Sequence, residues 1–180
     1  LPARNVPANR YGMHPCSFRT NRAQATRDIL HVSGRVASGD TLDVFVCHFP
    51  SRSGGARQSA PHRLLAASVL RQAADSVSAV RRNPYLIIMG DFNDYPSSPS
   101  VSEALGAKEV PRTDVSSSVL YNLMAGKAGG TYRYRGEWEM LDQFIVNGTM
   151  LSPSSALCTG ADRARPLAFP FLLEEDRQYG

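Results

Sequence analysis

The sequence predicts an α+β fold, and three observations support this prediction. Residues 27–36 and 41–47 have the pattern of strands joined by a short turn, which favours an antiparallel hairpin. Residues 59–82 carry apolar side chains at helical spacing, and residues 85–89 form a short apolar run typical of a buried strand. With 180 residues, of which 42% are hydrophobic, the chain is long enough to bury a core between a helix and a sheet.

The predicted helix is amphipathic and is expected to pack on the sheet. Ser59 can cap its start, Pro61 fits its first turn, and Arg81 and Arg82 suit its last turn. Its apolar positions, which recur every three or four residues, are Ala66, Leu70, Ala73, Val77 and Val80. This pattern predicts an architectural role for the helix.

The other segments predict shorter elements. Residues 1–21 have the composition of a loop, with a short strand near residues 16–19. Residues 100–105 begin with capping-box spacing and predict a short helix, and residues 118–124 predict another. Three further segments have strand character: residues 131–134, 139–146 and 156–158.

The most informative stretch is Gly90-Asp91-Phe92-Asn93-Asp94, which directly follows the apolar strand. Asp91 and Asn93 are two residues apart, so in an extended segment their side chains point the same way and can converge on one target. A carboxylate can activate water or hold a hard cation, and a carboxamide can donate to a phosphoryl oxygen. The alternative is that these residues only form a turn, which their types also favour.

A second polar group follows the predicted strand 41–47. His48 ends this strand, and Ser51 and Arg52 follow it on a Gly-rich loop, where they could bind or protonate a phosphoryl oxygen. The alternative is a structural histidine beside a solvated loop. His48 and Asp91 both follow the C-terminal end of a strand, and by analogy with open parallel sheets we expect them at one site.

Asp142 lies near the start of the predicted strand 139–146, among apolar residues. An unpaired carboxylate in such surroundings would be costly. Asp142 is therefore either exposed at the edge of the strand or paired. Its partner could be a histidine that it orients, an arginine or a backbone N–H group.

Composition and charge narrow the function only slightly. The net charge is +4, and all of the 20 basic residues except Lys108 and Lys127 are arginines. Arginine suits bidentate phosphate contacts, but genomic codon bias is the favoured explanation for most of these arginines, so the charge permits an anionic substrate without establishing nucleic-acid binding. Cys16, Cys47 and Cys158 fit no zinc spacing or dense disulfide framework, and Cys47 is predicted to be a small buried hydrophobic residue. The sequence has no apolar run of membrane-spanning length.

Three motifs occur in order along the chain: His48-Phe49-Pro50-Ser51-Arg52, Gly90-Asp91-Phe92-Asn93-Asp94 and Leu141-Asp142-Gln143-Phe144. This ordered set, with a helix between the first two motifs, resembles the endonuclease/exonuclease/phosphatase superfamily. Its members include deoxyribonuclease I, apurinic endonucleases, sphingomyelinases and inositol polyphosphate phosphatases. The resemblance spans residues 27–180, and the chain looks most like bacterial members whose substrates are unassigned.

The resemblance implies a four-layer α/β sandwich, in which two mostly antiparallel sheets pack face to face with helices outside. It also implies hydrolysis of a phosphate mono- or diester by an activated water, with Mg²⁺ or Mn²⁺ as cofactor. The substrate could be a small molecule, a lipid head group or a nucleic acid, since the motifs do not distinguish these. Ser51 and Arg52 are candidates for binding its phosphate.

The resemblance also implies a role for each polar side chain of the motifs. His48 resembles the histidine that contacts the scissile phosphate. Asp91 resembles the acid that positions or deprotonates the water or holds a metal ion. Asn93 resembles the amide that stabilises the phosphoryl oxygens, and we expect it to share the metal site with Asp91. Asp142 resembles the acid that pairs with a catalytic histidine.

The sequence also departs from the pattern of the family. An Asn and a Glu on early strands that hold Mg²⁺, and a Ser-Asp-His near the C-terminus, cannot be placed here, since no Glu precedes Glu103 and no His follows His62. We therefore expect residues 1–180 to form a single domain that lacks N- and C-terminal parts, with a sandwich incomplete at both ends. This predicts little or no hydrolase activity for these 180 residues alone.

One further consequence and two alternatives follow from this expectation. Exposed strand edges or apolar faces of an incomplete sandwich would favour self-association, whereas a monomer at high concentration in analytical ultracentrifugation would contradict this expectation. The first alternative is a non-catalytic binding module that retains the fold. The second is a nuclease specifically, which would need a basic groove with stacking aromatic side chains. The motifs do not indicate a cellular location.

Overall fold

The computed structural model describes residues 14–18, 27–167 and 169, which form a seven-stranded sheet, a two-stranded hairpin and a long helix. The strands of the large sheet are β1 (His14–Phe18), β2 (Ile29–Arg35), β3 (Thr41–His48), β4 (Tyr85–Asp91), β5 (Ala107–Glu109), β6 (Leu120–Asn122) and β9 (Asp142–Asn147). The hairpin consists of β7 (Tyr132–Tyr134) and β8 (Glu137–Glu139), and the long helix is α1 (Ala56–Ala79). Shorter helical turns are Ser100–Ala104, Gly148–Leu151 and Ala161–Arg163.

The large sheet has the strand order β1-β2-β3-β4-β9-β6-β5. β1, β2 and β3 are antiparallel neighbours, so the predicted hairpin is confirmed. β3 and β4 are parallel, because α1 carries the chain from the end of one strand to the start of the next. β9 pairs antiparallel with both β4 and β6, and the sheet is therefore mixed, as an α+β architecture allows.

One face of the sheet forms the main core with α1. Phe45, Ile88 and Ile145 lie side by side on β3, β4 and β9, and each is fully buried. Small side chains of the helix, including Ala67 and Ala74, let α1 approach this row closely, and Leu70 fills the space between. Burial of this apolar surface is the main force that holds the helix on the sheet.

The limits of α1 differ from the prediction at both ends. The helix begins at Ala56, three residues before the predicted cap, with Gly55 at the N-cap and no side-chain cap. Ser59 lies inside the first turns and donates to the carbonyl of Gly55 at 2.9 Å. Pro61 also lies within the helix, and Arg81 follows its end and binds another element instead.

Three of the shorter elements also differ from the prediction. The predicted helix at residues 118–124 is wrong, because β6 pairs there with β9 and β5. The capping box at residues 100–105 does not form, since Ser100 donates to the side chain of Asp94 and the turn is π-helical. Residues 156–158 form no strand. The strand expected near residues 16–19 is present as β1, while most of the predicted N-terminal loop lies outside the described residues.

The face of the sheet opposite α1 carries two apolar rows. The first row is Leu30, Val46, Met89 and Phe144, and the second is Val32, Val44, Ile87 and Val146. Over β4 and β9 this face is partly covered by a second cluster that includes Tyr85, Leu123 and Met150. Over β2 and β3 the described residues cover it less, and Leu30 is 42% and Val46 36% exposed.

A buried ionic cluster lies at the end of the sheet where β3 begins. Asp43 is fully buried and accepts from Arg81 Nε at 2.8 Å, and His31 Nε2 lies 2.9 Å from its other oxygen. Burial alone would raise the pKa of Asp43, but hydrogen bonds with His31, Arg81 and Ser33 outweigh it and hold this pKa well below its usual range. The cluster ties the end of α1 to the sheet.

Cys47 and Asn147 are both buried. Cys47 is 3% exposed, which confirms it as a small buried residue, and burial raises the pKa of its thiol to about 12. Asn147, which begins an Asn-Gly-Thr triplet, is 2% exposed, and its carboxamide bonds to the backbone of Pro84 and Leu86. In the described part of the chain no helix is long and apolar enough to cross a membrane.

Candidate active site

Three polar residues form a row across the sheet at the end of strands β3 and β4. His48 on β3 lies beside Asp91 on β4, and Asp91 lies beside Asp142 on β9. This row lies on the same face as the two apolar rows, because it follows them at a spacing of two residues. His48 and Asp91 therefore lie side by side, as expected from their positions at the ends of two strands. Asp142 lies beside Asp91 because β9 runs antiparallel to β4, so the start of β9 is next to the end of β4.

Gly90 makes this row possible. Its φ angle is +128°, a conformation that side chains rarely adopt, and a Cβ atom there would lie 2.0 Å from the carbonyl oxygen of Cys47. The close approach of the two backbones holds the end of β4 against β3. Phe49 N–H then donates to the carbonyl of Asp91 at 2.8 Å, which continues the pairing beyond the strand.

Asp91 and Asn93 form a compact pair on the loop after β4. The backbone N–H of Asn93, whose φ angle is +48°, donates to Asp91 Oδ1 at 2.7 Å. The Asn93 carboxamide nitrogen donates to Asp91 Oδ2 at 3.2 Å and to the carbonyl of Phe49 at 3.1 Å. His48 Nε2 lies 3.6 Å from Asp91 Oδ2, and about half of the His48 side chain is exposed. These contacts fix Asp91 while its carboxylate still faces solvent.

A buried ion pair anchors the same loop to α1. Arg63 Nε lies 2.7 Å from Asp94 Oδ2, although its N–H is not directed along that line, so the contact is an ion pair rather than a directed hydrogen bond. The other guanidinium nitrogens of Arg63 donate to Ser59 and to the carbonyl of Ala56. Gln143 on β9 donates to the carbonyl of Asp94 at 3.0 Å. The loop that carries Asp91 is therefore held from both sides.

The opposite wall of the site comes from the β7–β8 hairpin and from Tyr95. Glu139 on β8 binds Arg52 with one carboxylate oxygen and Tyr95 Oη with the other. The guanidinium carbon of Arg52 lies 5.3 Å from the centre of the Tyr95 ring. This cluster joins the loop after β3, the loop after β4 and the hairpin.

The charges of this cluster stabilise one another. Burial would raise the pKa of Glu139, but hydrogen bonds from Tyr95 and Arg52 outweigh it and lower this pKa. For Arg52, partial burial would lower the pKa, and the bond to Glu139 raises it instead. The hydrogen bond to Glu139 is also the main reason why the pKa of Tyr95 is raised.

The row and the hairpin enclose an open cleft of about 670 Å³. All six side chains singled out in the sequence line it: His48, Ser51, Arg52, Asp91, Asn93 and Asp142. The hairpin side is lined by Thr131, Tyr132, Tyr134 and Glu139. Sequence reasoning missed this second wall. The one signal for it was the alternation of tyrosine and arginine at residues 132–135, which ends in a glycine suited to a tight hairpin turn.

The contacts of Asp142 and Arg52 limit the roles that the sequence predicted for them. The carboxylate of Asp142 is exposed at the start of β9, which is the first of the alternatives drawn from the sequence, and it lies beside Asp91 rather than a histidine. Its backbone N–H donates to the hydroxyl of Thr131 at 3.0 Å. Arg52 is engaged by Glu139, so a phosphate would have to share its guanidinium.

The oxygen donors suit a magnesium or manganese ion only in part. Asp91 and Asn93 offer a carboxylate and a carboxamide oxygen within one loop, and Mg²⁺ commonly takes one or two protein oxygens together with waters and substrate phosphate. Among the described residues no cluster of three or more His, Cys, Asp or Glu side chains could hold a metal ion.

Comparison with protein families gives a match over most of the chain. Residues 13–179 match a family model described as "Endonuclease/Exonuclease/phosphatase family". Curated protein sequences include no match to the chain.

Several solved structures are similar to this chain at low sequence identity. They include the human Nocturnin catalytic domain with bound sulfate, with a TM-score of 0.48 and 16% identity. This match covers 81% of this chain and 48% of the Nocturnin chain. The match to sphingomyelinase C from Streptomyces griseocarneus has a TM-score of 0.45 and 18% identity, and it covers 67% of this chain and 42% of the sphingomyelinase. The match to a mannosyl-6-phosphatase from Bacteroides thetaiotaomicron has a TM-score of 0.46 and 15% identity, and it covers 73% of this chain and 45% of the phosphatase. The chain thus spans about half the length of these structures.

Proposed function

Since the chain belongs to the endonuclease/exonuclease/phosphatase family, we propose that the protein is a metal-dependent phosphoesterase. It would hydrolyse a phosphate mono- or diester by attack of an activated water. The observation that carries this proposal is the row of His48, Asp91 and Asp142, with Asn93 beside it, at the floor of an open cleft. Four polar side chains that face one solvent-accessible volume can act together on one substrate.

Asp91 is the proposed base. Its carboxylate is 36% exposed, so a water molecule can reach it, and the bonds from Asn93 hold it in one orientation. A fixed carboxylate within hydrogen-bond reach of the attacking water can take its proton in the transition state. Asp142, the neighbouring carboxylate in the row, adds a second negative group that favours binding of a cation at this place.

His48 is the proposed partner of the phosphoryl group. Its Nε2 lies 3.6 Å from Asp91 Oδ2 and about half of its side chain is exposed, so an imidazole N–H at this place can donate to a phosphoryl oxygen. Asn93 was expected to donate from its carboxamide to the phosphoryl oxygens, but this nitrogen is already engaged. Its Nδ2 already makes two bonds, so donation to the phosphate requires the exchange of one of them.

The metal ion would be held by Asp91 and by the carboxamide oxygen of Asn93. When bound, it would supply neutralisation of the charge that develops on the phosphoryl oxygens. Ser51 and Arg52 line the same cleft and are the proposed contacts for the non-reacting phosphate oxygens. For Arg52 this contact would compete with Glu139, which makes it a candidate for sensing whether substrate is bound.

The four-layer sandwich and the single-domain organisation belong to the same proposal. The open apolar rows over β2 and β3 support a further layer on that face, because Leu30 and Val46 are exposed on a surface that is otherwise core-like. The row of polar side chains would then lie at the rim between the two layers, where substrates have access.

The test is a Mg²⁺ and Mn²⁺ titration of the full-length protein, with bis(p-nitrophenyl) phosphate as a diester and p-nitrophenyl phosphate as a monoester. We expect metal-dependent turnover, which Asp91→Asn lowers by a factor of about 10² to 10⁴ in kcat, as is usual for loss of a general base. The matched control is Asp162→Asn, because Asp162 is exposed outside the cleft and binds only its neighbour Arg163 in the described structure.

The result either supports or contradicts the phosphoesterase. Turnover that needs metal and disappears with Asp91→Asn, but not with Asp162→Asn, supports the phosphoesterase. The preferred substrate then separates a diesterase from a phosphatase. Absence of turnover with either ester, together with absence of metal binding in calorimetry, contradicts it and favours a binding module that retains the fold.

A further inference from the structure

The β7–β8 hairpin has exposed aromatic side chains on both of its faces. Its register places Tyr132 opposite Glu139, Arg133 opposite Trp138 and Tyr134 opposite Glu137. Directly paired residues share a face, so the two tyrosines lie on one face and Trp138 lies on the other. The tyrosine face lines the candidate cleft, whereas Trp138 does not.

The two tyrosines are unusually open for aromatic side chains. Tyr132 is 48% exposed and Tyr134 is 52% exposed. Their ring planes differ by 14° and their centres are 6.4 Å apart, so both rings present their faces in nearly the same orientation. Packing among the described residues therefore does not account for the large aromatic surface at the edge of the cleft.

Arginine adds positive charge at the same place. The guanidinium carbon of Arg135 lies 5.1 Å from the centre of the Tyr134 ring. Arg135 and Gly136 form the turn, with φ angles of +50° and +85°, and Arg135 is exposed. Aromatic faces next to arginine are the combination that binds stacked bases and their phosphates.

We propose that Tyr132 and Tyr134 stack a nucleobase whose attached phosphate lies at His48 and Asp91. The substrate class would then be a nucleobase joined through its sugar to the phosphate, as in single-stranded nucleic acid or a free nucleotide. This inference rests on the proposed function for the position of the phosphate. It adds the recognition of the base, which the phosphoesterase motifs do not specify.

The chemistry of the hairpin favours a base over a lipid surface. Insertion into a bilayer requires an apolar tip, and the tip here is Arg135-Gly136. Two carboxylates, Glu137 and Glu139, share the face of the tyrosines, and Glu139 is bound within the cleft cluster. A flat polar ring that carries hydrogen-bonding edges suits these surroundings better than acyl chains do.

The experiment measures binding in the absence of turnover. The probe is a fluorescein-labelled hexathymidylate with phosphorothioate linkages, titrated with the full-length protein in EDTA and followed by anisotropy. A second probe has the same length and linkages but carries abasic residues. Unlabelled hexathymidylate and thymidine 5′-monophosphate serve as competitors, to separate recognition of a strand from recognition of a single nucleotide.

We expect Tyr132→Leu and Tyr134→Leu each to weaken binding of hexathymidylate about tenfold, because loss of one stacked base has an effect of this size. Trp138→Leu is the matched control on the other face of the hairpin, and its affinity should stay within twofold of the wild type. The abasic probe should bind more weakly and should not respond to the tyrosine substitutions. Circular dichroism of each variant verifies that the hairpin substitutions leave the fold intact.

Several results would overturn the inference. One is equal affinity for the abasic and the thymidine probes, and another is an unchanged affinity in both tyrosine variants. A third is tyrosine-dependent binding to phosphatidylserine–phosphatidylcholine vesicles without binding to the oligonucleotide. Ester hydrolysis without base-dependent binding refutes this inference and leaves the phosphoesterase standing, whereas base-dependent binding without any hydrolysis refutes the phosphoesterase alone.

Discussion

Gly90→Ala should lower the free energy of unfolding by at least about 4 kcal/mol, a loss reserved for severe core or backbone conflicts. The added Cβ would lie 2.0 Å from the carbonyl oxygen of Cys47, and neither backbone can move without breaking the pairing of β3 with β4. Since His48 and Asp91 are neighbours in that pairing, the site would be lost together with stability. Urea unfolding followed by circular dichroism measures the change.

The control is Gly55→Ala, which separates steric conflict from backbone strain. Gly55 has a similar φ angle of +117°, but a Cβ there meets no atom within 4 Å. Only the strain of a side chain in this conformation remains, which costs about 1–3 kcal/mol. Equal losses for the two variants would contradict the close approach of β3 and β4 at Gly90.

Asp94→Asn should cost about 3–5 kcal/mol, the usual effect of removing one member of a buried ion pair. The Arg63 side chain is 2% exposed, so its charge would remain buried without a counter-charge. Because Asp94 belongs to the loop that carries Asp91 and Asn93, the substitution should also loosen the site. Urea unfolding measures the first effect, and amide hydrogen exchange of residues 91–95 measures the second.

The same substitution at Asp75 provides the comparison. Asp75 binds Arg71 one turn away on the exposed side of α1, and its side chain is 58% exposed. Exposed pairs at this spacing contribute about 0.3–0.5 kcal/mol. A loss for Asp94→Asn that is no larger than the loss for Asp75→Asn would mean that the Arg63–Asp94 pair does not anchor the loop.

Local sequence patterns predicted the elements that form the floor of the site. Strands β2 and β3 were recognised from their alternation and β4 from its apolar run. β9 was recognised within the predicted strand 139–146, which the structure interrupts at Met140 and Leu141. His48 and Asp91 could be placed together because each directly follows a strand, and their register in the structure agrees with this reasoning. These features depend on neighbours in the chain, and that is why they are visible in the sequence.

Features that depend on distant contacts were not visible. Residues 120–122 were predicted as helix and form β6, because pairing of Leu120 with Asn147 outweighs their local preference. Ser100 was assigned to a capping box and instead donates to Asp94, six residues away. The hydrogen bonds of Glu139 to Arg52 and Tyr95 span 87 and 44 residues, so the local pattern of the hairpin could not show that it forms the second wall of the cleft.

The central claim is that His48 and Asp91 act as one phosphoesterase site. The most direct measurement is the kcat of the full-length protein for a phosphodiester in saturating Mn²⁺, for His48→Asn, Asp91→Asn and the variant that carries both substitutions. Side chains that work on the same step as a unit give effects that do not multiply. We therefore predict that each single variant loses a factor of about 10² to 10⁴ and that the double variant is little slower than the worse of the two. Single variants with kcat within twofold of the wild type, or two independent losses that multiply in the double variant, would contradict the account.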